Sequence, residues 1–394
     1  MLIRLAHYNL PVAVTLGEQS HSRLLLRGAL LFFACALGST PLLVSSARAV
    51  NAPNFKVGVA RRAFKIDKPY NWRNAKTHAL LTTIWYPAAE TSVEQPQWIG
   101  PPDHAFAKAG MAAPDAPLAA SGAKFPLILL SHGSGGSALQ MAWLGTTLAA
   151  RGYIAAAVNH PGNNGYDGYT PQGFAIWWER ARDLSMLIDQ MLADATFGPR
   201  IDRERIGAAG FSLGGYTMIE IAGGITDRSQ LQAFCDSPRA DAMCKPPLEF
   251  PSVVEQYPEL SRSDPEFQEA LRHASDSYRD IRVRAVFAIA PAFGPAFSPA
   301  SLKKVSIPVE IVAGARDQVV PIESSAKYFA AHIRGSKLIV FPGSVDHYVF
   351  LDTCTEVGQK SQPMLCSDAP GVDRDAIHAK TVELALKFFA EKLR

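Results

Sequence analysis

Arg205-Ile-Gly-Ala-Ala-Gly-Phe-Ser-Leu-Gly-Gly-Tyr-Thr-Met-Ile-Glu-Ile-Ala222 is the stretch from which the rest of the chain can be placed. The apolar, small-residue run ending at Gly210 suits a buried strand, and the residues from Leu213 onward suit a helix packed against a sheet. Between them, Gly210-Phe211-Ser212-Leu213-Gly214 marks a sharp strand-to-helix turn. Such a turn strains the backbone of its central residue, so the positions two residues away on either side must be small. Gly210 and Gly214 meet that demand. The turn lifts the Ser212 hydroxyl above the sheet edge, where the helix N-terminus offers positive potential and free N–H groups.

The 394 residues are 48% apolar and 19% charged, enough to bury a large core. Arg23 and Arg27 precede an apolar run over residues 28–43, and Ser45-Ser46-Ala47-Arg48-Ala49 fits a signal-peptidase site. Residues 1–49 are therefore predicted to be a signal peptide cleaved after Ala49, leaving a main domain over 50–394. A retained membrane anchor is disfavoured because Pro41 and the Ser39-Thr40 pair interrupt the apolar run. The chain holds 39 Lys and Arg against 36 Asp and Glu; the leader takes Arg4, Arg23, Arg27, Arg48 and Glu18, leaving 35 of each. A neutral mature chain offers no basic field for nucleic acid or anionic lipid.

Beyond the leader stand Cys235, Cys244, Cys354 and Cys366. An even number in an exported chain favours two disulfides, with sequence neighbours paired, although spacing leaves the other connectivities open. A four-cysteine zinc site fits poorly, since neither pair has the short spacing such sites prefer.

Early strands are predicted over 57–64 and 77–86, antiparallel at one sheet edge, with Pro87 ending the second. The Ala- and Pro-rich segment 88–124 reads as a surface excursion. Strand and helix then alternate. An apolar strand over 126–131 leads into His132-Gly133-Ser134-Gly135-Gly136. A helix covers 139–151, a strand 153–159, and a long helix 174–195 precedes the Ser212 strand. The pattern predicts a mostly parallel, doubly wound α/β sheet with antiparallel edge strands. It breaks over about 224–280, read as a helical cap inserted between the Ser212 helix and the strand 283–289. Strands over 309–313 and 337–341 and helices over 321–333 and 374–393 complete the domain. Phe174, Trp177 and Trp178 read as core aromatics, and Arg180 with Asp183 as an ordinary helical pair.

A serine hydroxyl needs a base to take its proton and an acid to orient that base. Asp317 follows the strand 309–313 on a loop at its carboxyl end, and His347 follows the strand 337–341 at the same edge. Asp346 is expected to point away, and His332 and His378 fall within predicted helices. For the oxyanion, the Leu213 N–H and the Ser134 N–H between its glycines are the expected donors. His132 and His160 read as structural loop histidines. The run Gly133-Ser134-Gly135-Gly136 lacks the lysine and spacing of a phosphate cradle.

Taken together, His132-Gly133-Ser134-Gly135, Asn159-His160-Pro161-Gly162, Gly210-Phe211-Ser212-Leu213-Gly214-Gly215, Gly314-Ala315-Arg316-Asp317 and Asp346-His347 resemble the α/β-hydrolase superfamily. More narrowly, they are similar to exported proteins described as dienelactone hydrolases and to the platelet-activating-factor acetylhydrolase branch. The resemblance implies an α/β-hydrolase fold and a serine esterase in which Ser212, His347 and Asp317 form the triad, Ser134 and Leu213 serve the oxyanion, and no metal or organic cofactor is used. True dienelactone hydrolases carry cysteine where this chain has Ser212, so an ester is the expected substrate, small-molecule or lipid. A serine peptidase or amidase, and a binding protein on a disabled scaffold, are the alternatives. Acyl chain length and oligomeric state are left open by the sequence.

Overall fold

The computed structural model describes residues 54–394, so the predicted signal peptide and Cys35 lie outside the described residues. Twelve strands are described: β1 (Lys56–Phe64), β2 (Leu80–Ala88), β3 (Gln95–Ile99), β4 (Ala107–Pro114), β5 (Phe125–Ser131), β6 (Ile154–Val158), β7 (Asn163–Asn164), β8 (Gly168–Tyr169), β9 (Ile201–Phe211), β10 (Val283–Ile289), β11 (Val309–Gly314) and β12 (Lys337–Phe341). Ten of them form one sheet in the order β12-β11-β10-β9-β5-β6-β2-β1-β4-β3, and β7 pairs with β8 in a small ribbon. The six strands from β12 to β6 are mutually parallel, and β2 joins β6 antiparallel.

Strand β5 shows why this region is the core. Every one of its residues is buried, with Leu127 and Leu129 facing one hydrophobic layer and Ile128 and Leu130 the other. The helices Arg180–Ala193, Leu213–Ile221 and Ala326–His332 contribute to the first layer, and Ala142–Ala150 and Arg374–Lys392 to the second. From β5 the chain steps to β6 on one side and later to β9 on the other. In such a sheet a crevice opens beyond the carboxyl ends of the strands at the reversal. The loop starting at His132 and the turn carrying Ser212 leave β5 and β9 at that point.

The early chain departs from the sequence expectation. Pro87 does not end β2; its carbonyl accepts the Ala119 N–H and the strand continues to Ala88. The segment 88–124 is no mere excursion, because it supplies β3 and β4, and β4 runs parallel to β1. Its short side chains hid the strand, yet they let the helix Ala142–Ala150 approach: Ala109 and Ala112 are fully buried, and a Cβ on Gly110 would lie 3.0 Å from Thr146 Oγ1. The long helix expected over 174–195 is also broken, into Pro171–Ala175, a 3-10 turn Trp177–Glu179, and Arg180–Ala193.

The inserted segment contains the helices Arg228–Cys235, Val253–Ser263 and Pro265–Arg272. Val253, Phe267, Ala270 and Ala274 form a small core with Phe174, Ile176 and Trp178, and Trp178 Nε1 donates to Ala270 O at 3.2 Å. Disulfides join Cys235 to Cys244, with Cα atoms 5.4 Å apart, and Cys354 to Cys366, 5.6 Å apart. Among the described residues no helix is long and apolar enough to cross a membrane.

Candidate active site

Ser212 sits between β9 and the helix Leu213–Ile221 with φ 57° and ψ −116°, a conformation L-residues rarely hold. The surrounding glycines show what imposes it. A Cβ on Gly210 would lie 2.3 Å from Gly214 O, and one on Gly214 would lie 2.0 Å from Ser131 O. Gly214→Ala is therefore expected to separate β5 from the turn and lower stability by about 3 kcal/mol or more. An unchanged thermal midpoint would remove the close-approach reading. The Ser212 backbone is pinned from β10 as well, its N–H donating to Ile289 O at 2.8 Å and its carbonyl accepting from Ala292 N at 3.1 Å.

The structure brings Ser212, His347 and Asp317 together. Ser212 Oγ lies 2.9 Å from His347 Nε2, and His347 Nδ1 lies 2.7 Å from Asp317 Oδ2. A carboxylate can only accept, so Nδ1 carries the ring proton and Nε2 is left to accept from the serine hydroxyl. Asp317 is fixed through its other oxygen by the Val319 and Val320 N–H groups at 3.1 and 2.6 Å. Asp346 takes part in this geometry: its Oδ1 accepts from His347 N at 2.7 Å and from Gln318 N at 2.9 Å, tying the two loops together. All three side chains are buried, with Ser212 keeping 8% of its surface open.

Gly133 abuts the serine, since a Cβ there would lie 3.3 Å from Ser212 Cβ. The loop that carries Ser134 thus approaches the residue that bears the hydroxyl, and Leu213 follows Ser212 at the start of the helix. Among the described residues, neither the Ser134 N–H nor the Leu213 N–H has a hydrogen-bond partner. The half-buried Trp177 stacks on Phe293, with centroids 4.9 Å apart, and meets Tyr216, on the helix that follows Ser212, edge-on at 5.2 Å. The three aromatics read as core divide: Trp178 is fully buried, Phe174 packs on Tyr169 and Phe250, and Trp177 stays partly open.

A second Ser-His-Asp chain lies beneath the first. Ser131 Oγ is 2.9 Å from His160 Nε2, and His160 Nδ1 is 2.7 Å from Asp183 Oδ2. Residue types alone would not separate the two chains, but surroundings do. Ser131, His160 and Asp183 have no accessible surface, and Ser131 lies in an extended strand with no glycine-flanked turn to present it. Burial and the neighbouring Arg180 push His160 down to about 3, so its ring is neutral at pH 7. Burial alone would raise Asp183, but Arg73 and the His160 hydrogen bond outweigh it and bring the carboxyl down to about 2.

Here the helical pairing expected of Arg180 and Asp183 is corrected. Asp183 receives Arg73 Nη2 on both oxygens at 2.7 Å, whereas Arg180 reaches the other way, to His132 O and to Ser131 Oγ at 3.4 Å. Both are buried, and residues three apart on this helix diverge once each meets a stronger partner from another loop. Sequence reading missed Arg73, Gln140 and Asn163 altogether: Arg73 and Asn163 act through contacts distant in the chain, and Gln140 reaches seven residues back to the Gly133 N–H by a side-chain bond that no motif announces. His132, whose Nε2 accepts the His160 N–H at 3.2 Å, does tie its loop.

Residues 127–358, more than half of the chain, match the model of the alpha/beta hydrolase family. The chain belongs to that family. Lipase 1 of Moraxella sp. (strain TA144) is 36% identical over 91 residues, an alignment spanning 23% of this chain and 24% of that protein. The chain therefore matches about a quarter of that relative's length. A ferulic acid esterase from Streptomyces cinnamoneus superposes with a TM-score of 0.57 at 20% identity, covering 89% of this chain and 92% of that one. At that identity the likeness is one of fold, and it extends the alpha/beta hydrolase architecture over almost the whole described chain.

Proposed function

We propose that this protein is a serine hydrolase that cleaves carboxylic esters through an acyl-enzyme on Ser212. The observation that carries the reading is the 2.9 Å contact between Ser212 Oγ and His347 Nε2, made from a strained turn at the carboxyl edge of the sheet. His347 Nε2 takes the hydroxyl proton as Ser212 Oγ bonds to the ester carbonyl carbon, and Asp317 stabilises the imidazolium. The oxyanion accepts hydrogen bonds from the Leu213 and Ser134 N–H groups. On collapse the carbon–oxygen bond to the alcohol breaks, and His347 returns the proton to the leaving alcohol. A water then attacks the acyl carbon, loses its proton to His347, and releases the acid with Ser212 restored.

The half-buried Trp177 and Phe293 faces support an apolar acyl or alcohol group, small-molecule or lipid, and the relatives' names, lipase and ferulic acid esterase, point to the same bond class. The motifs around Ser134, Ser212 and Asp317 favour the exported dienelactone-hydrolase-like and acetylhydrolase-like branch within the family. Export with a cleaved leader over 1–49 fits the two disulfides, which persist in oxidising compartments. The segment 224–280 acts in this reading as a cap, since Glu249 packs against Gly135 of the oxyanion loop.

The test combines a fluorophosphonate probe with a leaving-group comparison. Peptide mapping should find the label on Ser212 and none on Ser131, and p-nitrophenyl esters should turn over far faster than matched anilides. Label on Ser131, or no label anywhere, would count against the assignment; equal turnover of anilides would make the enzyme an amidase.

A further inference from the structure

We propose that Asn163 and Arg180, with Tyr169 at the rim, are positioning residues that aim the Ser134 N–H at the reacting acyl oxygen. The inference deepens the ester-hydrolase reading and rests on it. Its basis is the set of bonds made by residues 133–136. The Gly133 N–H donates to Gln140 Oε1 at 2.8 Å, the Gly135 N–H to Asn163 Oδ1 at 2.9 Å, and the Gly136 N–H to Gly133 O at 3.3 Å. Of these four consecutive N–H groups, only that of Ser134 lacks a partner among the described residues. The loop carbonyls are held from outside too: His132 O by Arg180, Gly135 O by Tyr169 Oη at 2.9 Å, and Gly136 O by Gly165 N at 2.8 Å.

Arg180 clamps both ends of this loop. Its Nη2 grips His132 O, and its Nη1 lies 3.4 Å from the same Asn163 Oδ1 that receives the Gly135 N–H. Asn163 is in turn fixed by donating Nδ2 to Gly173 O at 3.2 Å, and both side chains are 1% exposed. A flat guanidinium with several donors suits this double grip, which a single ammonium could not make. The buried Ser131, His160, Asp183 and Arg73 chain then has a function without chemistry of its own. It steadies the strand end and the Asn159-His160-Pro161-Gly162 turn from which the clamp is built, with Arg73 Nε donating to Pro161 O at 3.1 Å. Gly135 completes the device: its φ of 61° is one that residues with a side chain rarely hold, so the bend in the loop calls for glycine there.

The experiment uses the full-length mature protein, p-nitrophenyl acetate as substrate, and a trifluoromethyl ketone that mimics the tetrahedral oxyanion. Asn163→Ala should lower kcat by roughly tenfold or more with KM within about twofold, because a misaimed donor weakens the transition state and spares ground-state binding. The trifluoromethyl ketone should lose affinity in the same proportion. Asn163→Asp should recover part of kcat, since its Oδ1 still accepts the Gly135 N–H and meets Arg180 as a charge pair, although a carboxylate can no longer donate to Gly173 O. If Asn163→Ala fails to fold, Tyr169→Phe serves instead, removing one tie at the partly open rim; a fall in kcat at constant KM is again expected. Unchanged kcat in the folded variants, equal losses in Asn163→Ala and Asn163→Asp, or a loss carried by KM alone would overturn the positioning role. Ser212→Ala keeps the two ideas apart. Retained turnover there sinks the ester-hydrolase reading, whereas a dead Ser212→Ala beside a fully active Asn163→Ala sinks only the clamp.

Discussion

Ser212→Ala is expected to lower kcat for p-nitrophenyl esters by about 10⁶-fold, to a residue of activity set by the oxyanion donors and binding alone. The size follows from the unit character of the site. Among the described residues His347 Nε2 has no other hydroxyl partner, and the other serine paired with a histidine, Ser131, is bonded to His160 and has no accessible surface. A water replacing the lost Oγ would lack the covalent route that splits the reaction into two easier steps. The fold should be indifferent, since the turn is held by the Gly210 and Gly214 approaches and by the backbone bonds to Ile289 and Ala292, none of which involves the hydroxyl. Relief of one polar contact in a strained turn can even raise the thermal midpoint slightly. Turnover near that of the parent, in protein freed of contaminating esterase, would show that the chemistry resides elsewhere.

The parts of the molecule that were legible in the sequence are those where local spacing expresses a steric demand. Gly210 and Gly214 flank Ser212 because the turn admits no Cβ there, so the pattern announces the turn before any fold is known. Likewise the apolar run in β5 is continuous because both faces are covered. The illegible parts depend on partners far apart along the chain. Arg73 and Asp183 are separated by 110 positions, and nothing near either one predicts that the fold will join them and break the simpler pairing with Arg180. Strand β4 escaped notice for a different reason: its alanines and glycine carry no strand preference of their own, and are there to admit a helix. Ser131 illustrates the limit of residue types as signals. It has a histidine and an aspartate at the right distances and Gly133 two residues on, but Leu129 stands where the turn needs the first glycine, and burial decides the matter.

Glu220→Gln is expected to stabilise the protein increasingly as pH rises. Glu220 lies two turns beyond Ser212 on the helix Leu213–Ile221, with no accessible surface. Its Oε1 accepts Tyr216 Oη and Thr226 Oγ1, each at 2.8 Å, and its Oε2 has no partner among the described residues. Burial therefore holds the proton on this carboxyl well above the ordinary value of 4.5. In the unfolded chain the group ionises near 4.5, so above that pH the folded state binds one proton more than the unfolded state. Its contribution is fully present below pH 4.5 and is lost, by about 1.4 kcal/mol per pH unit, as pH climbs toward the raised value. Glutamine has no proton to lose and keeps the oxygen that receives both hydroxyls. The stability difference between variant and parent should thus widen as pH rises above 4.5, read from denaturant midpoints at each pH. Taking the difference cancels the other buried groups, including His160 and His378, whose lowered values act with the opposite sign. Parallel pH curves for the two proteins would mean that the carboxylate is charged in the fold. The outcome bears on the site, because the Tyr216 hydroxyl that Glu220 holds fixes the ring against which Trp177 packs.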